Sequence, residues 1–238
     1  MIVALESILP ESNISGIPTT EMILAGHRAS ERVAINDNPR RFANRFFNYS
    51  DALIEASSFE GQILVDIGCG RNLDGYILAE ITGATAYIAV EAANMKRFLE
   101  RLSDPQELRG KADVNELIGK MHAFIGTVPE YDSVLVERLK RRMQRHLESE
   151  AGELPVVLLA EDMLTALERF PDSSVSVLAS GIDRCIHPED DYAAEVEKEI
   201  SRVVHPAGAY IGAVSRFEPR GLTLKSGEGW EFKKYARP

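Results

Sequence analysis

The chain has 238 residues, 45% of them apolar, and a formal net charge of −10. That length suits one α/β domain with an embellishment and can fill a substantial core. The acidic balance argues against an obligate nucleic-acid binder, whose affinity comes from Lys and Arg neutralising phosphates. The two cysteines, Cys69 and Cys185, are too few for a disulfide framework and lack metal-ligand spacing. No apolar run approaches the roughly 18 residues of a spanning helix, and the first positive side chain is Arg28. The expectation is a cytoplasmic protein with neither secretory signal nor membrane segment.

Residues 1–39 lack sustained periodicity, carry turn-prone Pro10, Gly16 and Pro18, and read as a partly ordered arm. The domain proper is placed at 40–238. Phe42, Phe46, Phe47, Ala52, Leu53 and Ile54 approximate a helical stripe leading to the first strand. The stretch QILVDIGCGRNLDG, Gln62 to Gly75, then carries an apolar run that ends in an aspartate and breaks into a glycine turn. Ile63, Leu64 and Val65 read as a buried parallel strand over about 62–66. Gly68 and Gly70 supply positive φ and the missing Cβ that let backbone approach a ligand beyond the strand's carboxyl end. A dinucleotide loop spaced G-x-G-x-x-G would need a glycine at 73, where Leu73 stands, so a nicotinamide oxidoreductase is disfavoured.

A helix over Leu73–Ile81 and a second strand over Ala86–Val90 follow. The third strand does not begin until Val156, far beyond the 2–6 residues plus a helix that ordinarily link such elements. Residues 94–153 are therefore read as an inserted helical subdomain, clearest over Asp132–Leu147 where Leu135, Leu139, Met143 and Leu147 step by four. The insert is placed near the pocket edge, where it could close over substrate; plain core packing is the alternative. Basic residues cluster at Arg40, Arg41 and Arg45, at Arg138, Lys140, Arg141, Arg142 and Arg145, and at Lys233, Lys234 and Arg237. Each cluster reads either as a solvated face or as the surround of an anionic substrate or partner.

Three further segments complete a pattern: Val156–Ala160 ending in Glu161 and Asp162, FPDSSVSVLASGI from Phe170 to Ile182, and EISRVVHPAGAYIGAV from Glu199 to Val214. Together with Asp66, Gly68 and Gly70 they resemble the class I S-adenosylmethionine (SAM) dependent methyltransferases over about 60–95 and 155–214. Motif I of that family is a hydrophobic run followed by D-x-G-x-G-x-G, and Asn72 stands at the third glycine, a residue that tolerates a left-handed conformation. Pro171, Arg202, Val203, Pro206 and Gly208 fall at matching places, whereas Ser176 replaces a common aspartate and Ala207 the first glycine of the turn before strand five.

The resemblance implies a Rossmann-like, doubly wound, mostly parallel sheet and SAM as cofactor. Asp66 and the backbone at Gly68, Gly70 and Asn72 would hold the methionyl end, and Glu91, about 20 residues past the glycine turn, would take both ribose hydroxyls. Asp162 would accept from the adenine amino group, Met163 would pack on the ring and offer its amide, and Ser180 and Gly181 would flank the methyl sulfonium. Each carboxylate has an alternative reading as a cap or loop charge. In the loop after strand four, His187 is the best placed base and Asp183 its neighbour, although a histidine before Pro188 is more often a loop or capping residue.

The expected activity is methyl transfer to a small-molecule acceptor, O- or N-directed; the alternative is a non-catalytic SAM- or nucleoside-binding protein of the same fold. The sequence also predicts a shortened end. Arg216–Gly221 is too short for the crossover helix after strand five, so Leu222–Lys225 should open a hairpin turning near 226–229, with Trp230 packing on the domain. One sheet face would then lack its helix and need cover, from a second subunit or, failing that, the N-terminal arm. A homodimer is expected on that ground.

Overall fold

A computed structural model describes residues 5–9, 59–69, 74–92, 154–182, 191–213, 215, 217–226 and 232–238, with isolated positions at 141, 144 and 148. Its elements are a 3-10 turn at Leu5–Ser7, β1 Ile63–Ile67, α1 Asp74–Thr82, β2 Ala86–Val90, β3 Val156–Leu159, α2 Met163–Glu168, β4 Ser176–Ser180, α3 Asp191–Val203, β5 Tyr210–Ala213, β6 Thr223–Ser226 and β7 Phe232–Ala236. The expected first strand and helix are each displaced by about one residue, within the usual uncertainty of element ends.

The described strands form one sheet in the order β3-β2-β1-β4-β5-β7-β6. β1 runs parallel to β2, with Leu64 opposite Tyr87, and to β4, with Asp66 opposite Leu178. β3 pairs parallel with β2 and β5 with β4. Only β7 is reversed, lying antiparallel to β5 on one side and to β6 on the other. The central strands are apolar on both faces because helices cover both, so they read as continuous runs without alternation.

On one face, Val65, Ile67, Val177, Ala179 and Tyr210 of the sheet pack with Ala166 and Leu167 of α2 and with Ala193, Val196, Ile200 and Val203 of α3. The four α3 residues recur at helical spacing and form its buried stripe. Arg202 in the last turn of α3 donates to the carbonyls of Leu167 and Phe170 and pairs with Asp172 and Glu199, tying α3 to the loop before β4. Arg237, beyond β7, donates to the carbonyls of Ser201, Arg202 and Val204 and to Ser173 Oγ, satisfying the carboxyl end of the same helix. On the opposite face, α1 lies against β2, where Tyr76 meets Tyr87 edge-on at 5.8 Å between ring centres.

The described residues between β5 and β6 contain no helix, in agreement with the shortened end. Part of the expected bare face is covered by residues of this chain, the N-terminal arm offered as the alternative to a second subunit among them. Phe217, in the loop that stands where a crossover helix would lie, is buried in the α2/α3 core with Tyr210 and Tyr235. Leu5 joins the same core at 4% exposure, and Ile8 and Leu9 pack against it. Ser215 Oγ lies 3.0 Å from the Tyr210 hydroxyl and accepts from the Phe217 amide, and Glu197 Oε1 of α3 accepts from the Glu218 amide. A loop tied to the domain at two points and braced by one internal bond can bury one large ring where a helix would bury several side chains. Leu224 on edge strand β6 is the large apolar side chain left exposed among the described residues.

Positions 141, 144 and 148 are helical and exposed, and Gln144 donates to Glu148 one turn on. The rest of the 94–153 insert, nearly all of the 1–39 arm, the 40–58 helix, Cys185, Trp230 and the 227–231 turn lie outside the described residues. Among the described residues, no helix is long and apolar enough to cross a membrane.

Candidate functional site

The chain reverses its winding direction at the neighbours β1 and β4, and in sheets of this kind the crevice beyond the carboxyl ends of the strands is where ligands bind. Four strand ends converge there: Gly68 after β1, Glu91 after β2, Asp162 after β3, and Ser180 with Gly181 at β4. The carbonyl of Val90 accepts from both the Gly68 amide at 2.8 Å and the Cys69 amide at 3.1 Å, clamping the glycine turn to the tip of β2. The Glu91 amide is bound in turn to the Leu159 carbonyl of β3.

Gly68 has φ +68° and Gly181 has the same value. At Gly68 glycine meets two demands, because a Cβ there would also stand 3.1 Å from the side chain of Ile182. The turns after β1 and β4 are thus packed directly on each other. Gly70, Asn72, Asp183 and His187 lie outside the described residues.

Asp66 is buried, at 3% exposure, on the α1 face of the sheet. Its Oδ2 accepts from the Tyr87 hydroxyl at 2.7 Å. Gly75, at the start of α1, lies so close that a Cβ would strike the Asp66 carboxylate and stand 3.0 Å from the Tyr87 oxygen. The acidic residue of the first strand is therefore built in beneath the glycine turn. Negative charge reaches that turn: burial, then the charges of Asp66 and Glu91, push the Cys69 thiol well above its ordinary range.

Asp162 is the N-cap of α2. Its Oδ1 accepts from the Leu164 amide at 2.9 Å, and its Oδ2 accepts from the Tyr192 hydroxyl of α3 at 2.6 Å. The cap reading of this carboxylate is thus realised, while a carboxylate keeps about four acceptor positions, so two bonds leave room for a ligand. The Met163 amide stands at the first helical position, where an α-helix has no internal acceptor to offer. Its side chain packs partly buried against the core. Glu161, the other acid ending β3, is structural: it is buried and grips Arg169 with two bonds of 2.7 Å.

Tyr87, Gly75, Ile182 and Tyr192 were not singled out by sequence reasoning. Tyr87 reads as one more apolar strand residue, and its bond to Asp66 needs the strand register; Tyr192 lies thirty positions from its partner. Ser176, which departs from the family aspartate, is buried and accepts from the Ala209 amide while packing on Gly208, so it fastens β4 to the turn before β5. In that turn the Ala207 amide donates to His205 Nδ1, a structural use of that histidine.

A sheet of this order, parallel except for an antiparallel seventh strand inserted between the fifth and sixth, with helices on both faces, is the Rossmann-like class I methyltransferase fold. No protein family and no curated protein matches the chain. Among solved structures it is similar to the rRNA methyltransferase AviRa from Streptomyces viridochromogenes, at 17% identity and a TM-score of 0.48 over 98% of this chain and 93% of that one. It is also similar to magnesium protoporphyrin IX methyltransferase from Synechocystis PCC 6803, at 9% identity and a TM-score of 0.42 over 93% of each chain.

Proposed function

We propose that the chain is a cytoplasmic, SAM-dependent methyltransferase acting on a small-molecule acceptor, O- or N-directed. The observation that carries this reading is the meeting of Gly68, Glu91, Asp162 and Gly181 at the carboxyl ends of four neighbouring parallel strands, astride the switch between β1 and β4. Leu73, standing where a dinucleotide loop needs its third glycine, speaks against a nicotinamide cofactor there. The donor set fits the parts of SAM. Glu91, half-buried at the tip of β2, can accept from a ribose diol; Asp162 and the Met163 amide can offer an acceptor and a donor to an adenine edge; Ser180 and Gly181 lie at the end of β4 beside the turn that follows β1.

When bound, SAM supplies a methyl group on a positively charged sulfur that an acceptor lone pair displaces in line. The protein's part is alignment and exclusion of water, with His187, assisted by Asp183, taking the acceptor's proton. Titration calorimetry with SAM, S-adenosylhomocysteine and NAD tests the cofactor; tight binding of NAD alone would sink the reading. Incubation with methyl-labelled SAM and cell extract, split into a low-mass filtrate, RNA and protein, tests the rest. Label in the filtrate supports a small-molecule acceptor, label in RNA or protein removes that part, and binding without transfer to any fraction leaves a SAM-binding protein.

A further inference from the structure

Tyr192 opens the first turn of α3, and its hydroxyl crosses to α2 to meet Asp162 Oδ2 at 2.6 Å. A carboxylate can only accept, so the tyrosine must be the donor in this bond. The hydroxyl is kept protonated: burial, then the bond to Asp162 and its charge, push its pKa far up. Asp162 is consequently held by two donors from different elements, the Leu164 amide at Oδ1 and Tyr192 at Oδ2. The cap bond alone would leave the second oxygen free to swing about the Cβ–Cγ bond.

Resting on the SAM reading of this site, we propose that Tyr192 is a positioning residue that sets its base specificity: by fixing Asp162 as an acceptor beside the Met163 amide donor, it makes the pocket select a 6-amino purine over a 6-oxo purine. Adenine offers an amino donor at C6 and an acceptor at N1, which complement an acceptor and a donor in that order. Hypoxanthine offers the reverse, an oxygen at C6 against the carboxylate and an N1–H against the amide, so both pairs become repulsive. That discrimination depends on the carboxylate standing still, because a rotated carboxylate can retreat from the oxygen and admit water.

The test is calorimetric titration of the full chain and of Tyr192→Phe with S-adenosylhomocysteine and S-inosylhomocysteine. The wild-type chain should prefer the adenosyl compound strongly, and Tyr192→Phe should lose about tenfold of that preference, mostly by weaker adenosyl binding. A preference ratio is read within each folded variant, and a thermal melt verifies folding. A second variant, Asp162→Asn, keeps the cap acceptor, and in its background Tyr192→Phe should leave the ratio unchanged. A ratio equal to wild type in Tyr192→Phe, or the same loss with and without Asp162, overturns the role of Tyr192 alone. Failure of the wild-type chain to bind either compound overturns the cofactor reading and this inference with it.

Discussion

Tyr87 of β2 gives its hydroxyl to Asp66 of β1 at 2.7 Å, and Gly75 closes over the pair from the start of α1. The three residues belong to three successive elements, so one bond and one missing Cβ set how the first helix sits on the sheet beside the glycine turn. Alanine normally improves a helix over glycine by about 1 kcal/mol. Here the methyl would displace a buried carboxylate, and overpacking of that kind costs about 1–3 kcal/mol or more. Gly75→Ala is therefore expected to lower the urea midpoint, and Tyr87→Phe to destabilise by about 1.5–3 kcal/mol through loss of a charge-assisted bond. A raised midpoint for Gly75→Ala would show that α1 can move aside freely.

The buried pair of Glu161 and Arg169 makes a different prediction. Removing one partner strands the other charge at 4% or 8% exposure, a loss of about 3–5 kcal/mol. Arg169→Met should be strongly destabilising in denaturant melts. Glu161→Leu combined with Arg169→Met should recover most of that loss, since an apolar pair of similar volume needs no compensating charge. Equal destabilisation by the single and double variants would mean that the pair acts through something other than burial of charge.

Cys69 predicts an alkaline weakness. In the unfolded chain its thiol ionises near pH 8.5, whereas burial and the charges of Asp66 and Glu91 keep it protonated to higher pH in the fold. Above the unfolded pKa the native state thus binds more protons than the unfolded one, so stability is complete below about pH 8.5 and declines as pH rises toward the folded pKa. The urea midpoint should fall between about pH 8.5 and 10 in the wild-type chain and fall less in Cys69→Ala. Parallel curves for the two proteins would assign the decline to other groups.

Glu91 predicts a loss of ligand without loss of fold. The residue is half-buried at the tip of β2 and its backbone bond to Leu159 survives truncation. Glu91→Ala is expected to weaken SAM binding by about 1.5–3 kcal/mol, roughly one to two decades, in a chain that still melts cooperatively. Calorimetry that returns wild-type affinity in the folded variant removes Glu91 from the ribose.

The amino-acid sequence by itself determined the first three strands and their order. Ile63–Val65 and Ala86–Val90 are apolar runs bounded by polar residues and Val156–Leu159 is one set between Pro155 and Ala160, so local pattern sufficed for them, whereas the helix α3 was not read from the sequence. The sequence also placed Gly68, Glu91, Asp162 and Gly181 at strand ends, because the end of a strand is a one-dimensional property. Pairing is not. That Asp66 is held by Tyr87, that Asp162 is shared between a cap and Tyr192, and that Glu161 beside it serves Arg169 depend on strand register and on two helices meeting. The filling of the helix-free face by Phe217 and Leu5 is likewise a matter of volume in three dimensions. Hydrogen bonds and packing between residues distant in the chain leave no period in the sequence, so only the tertiary structure could decide which carboxylates are held by distant side chains.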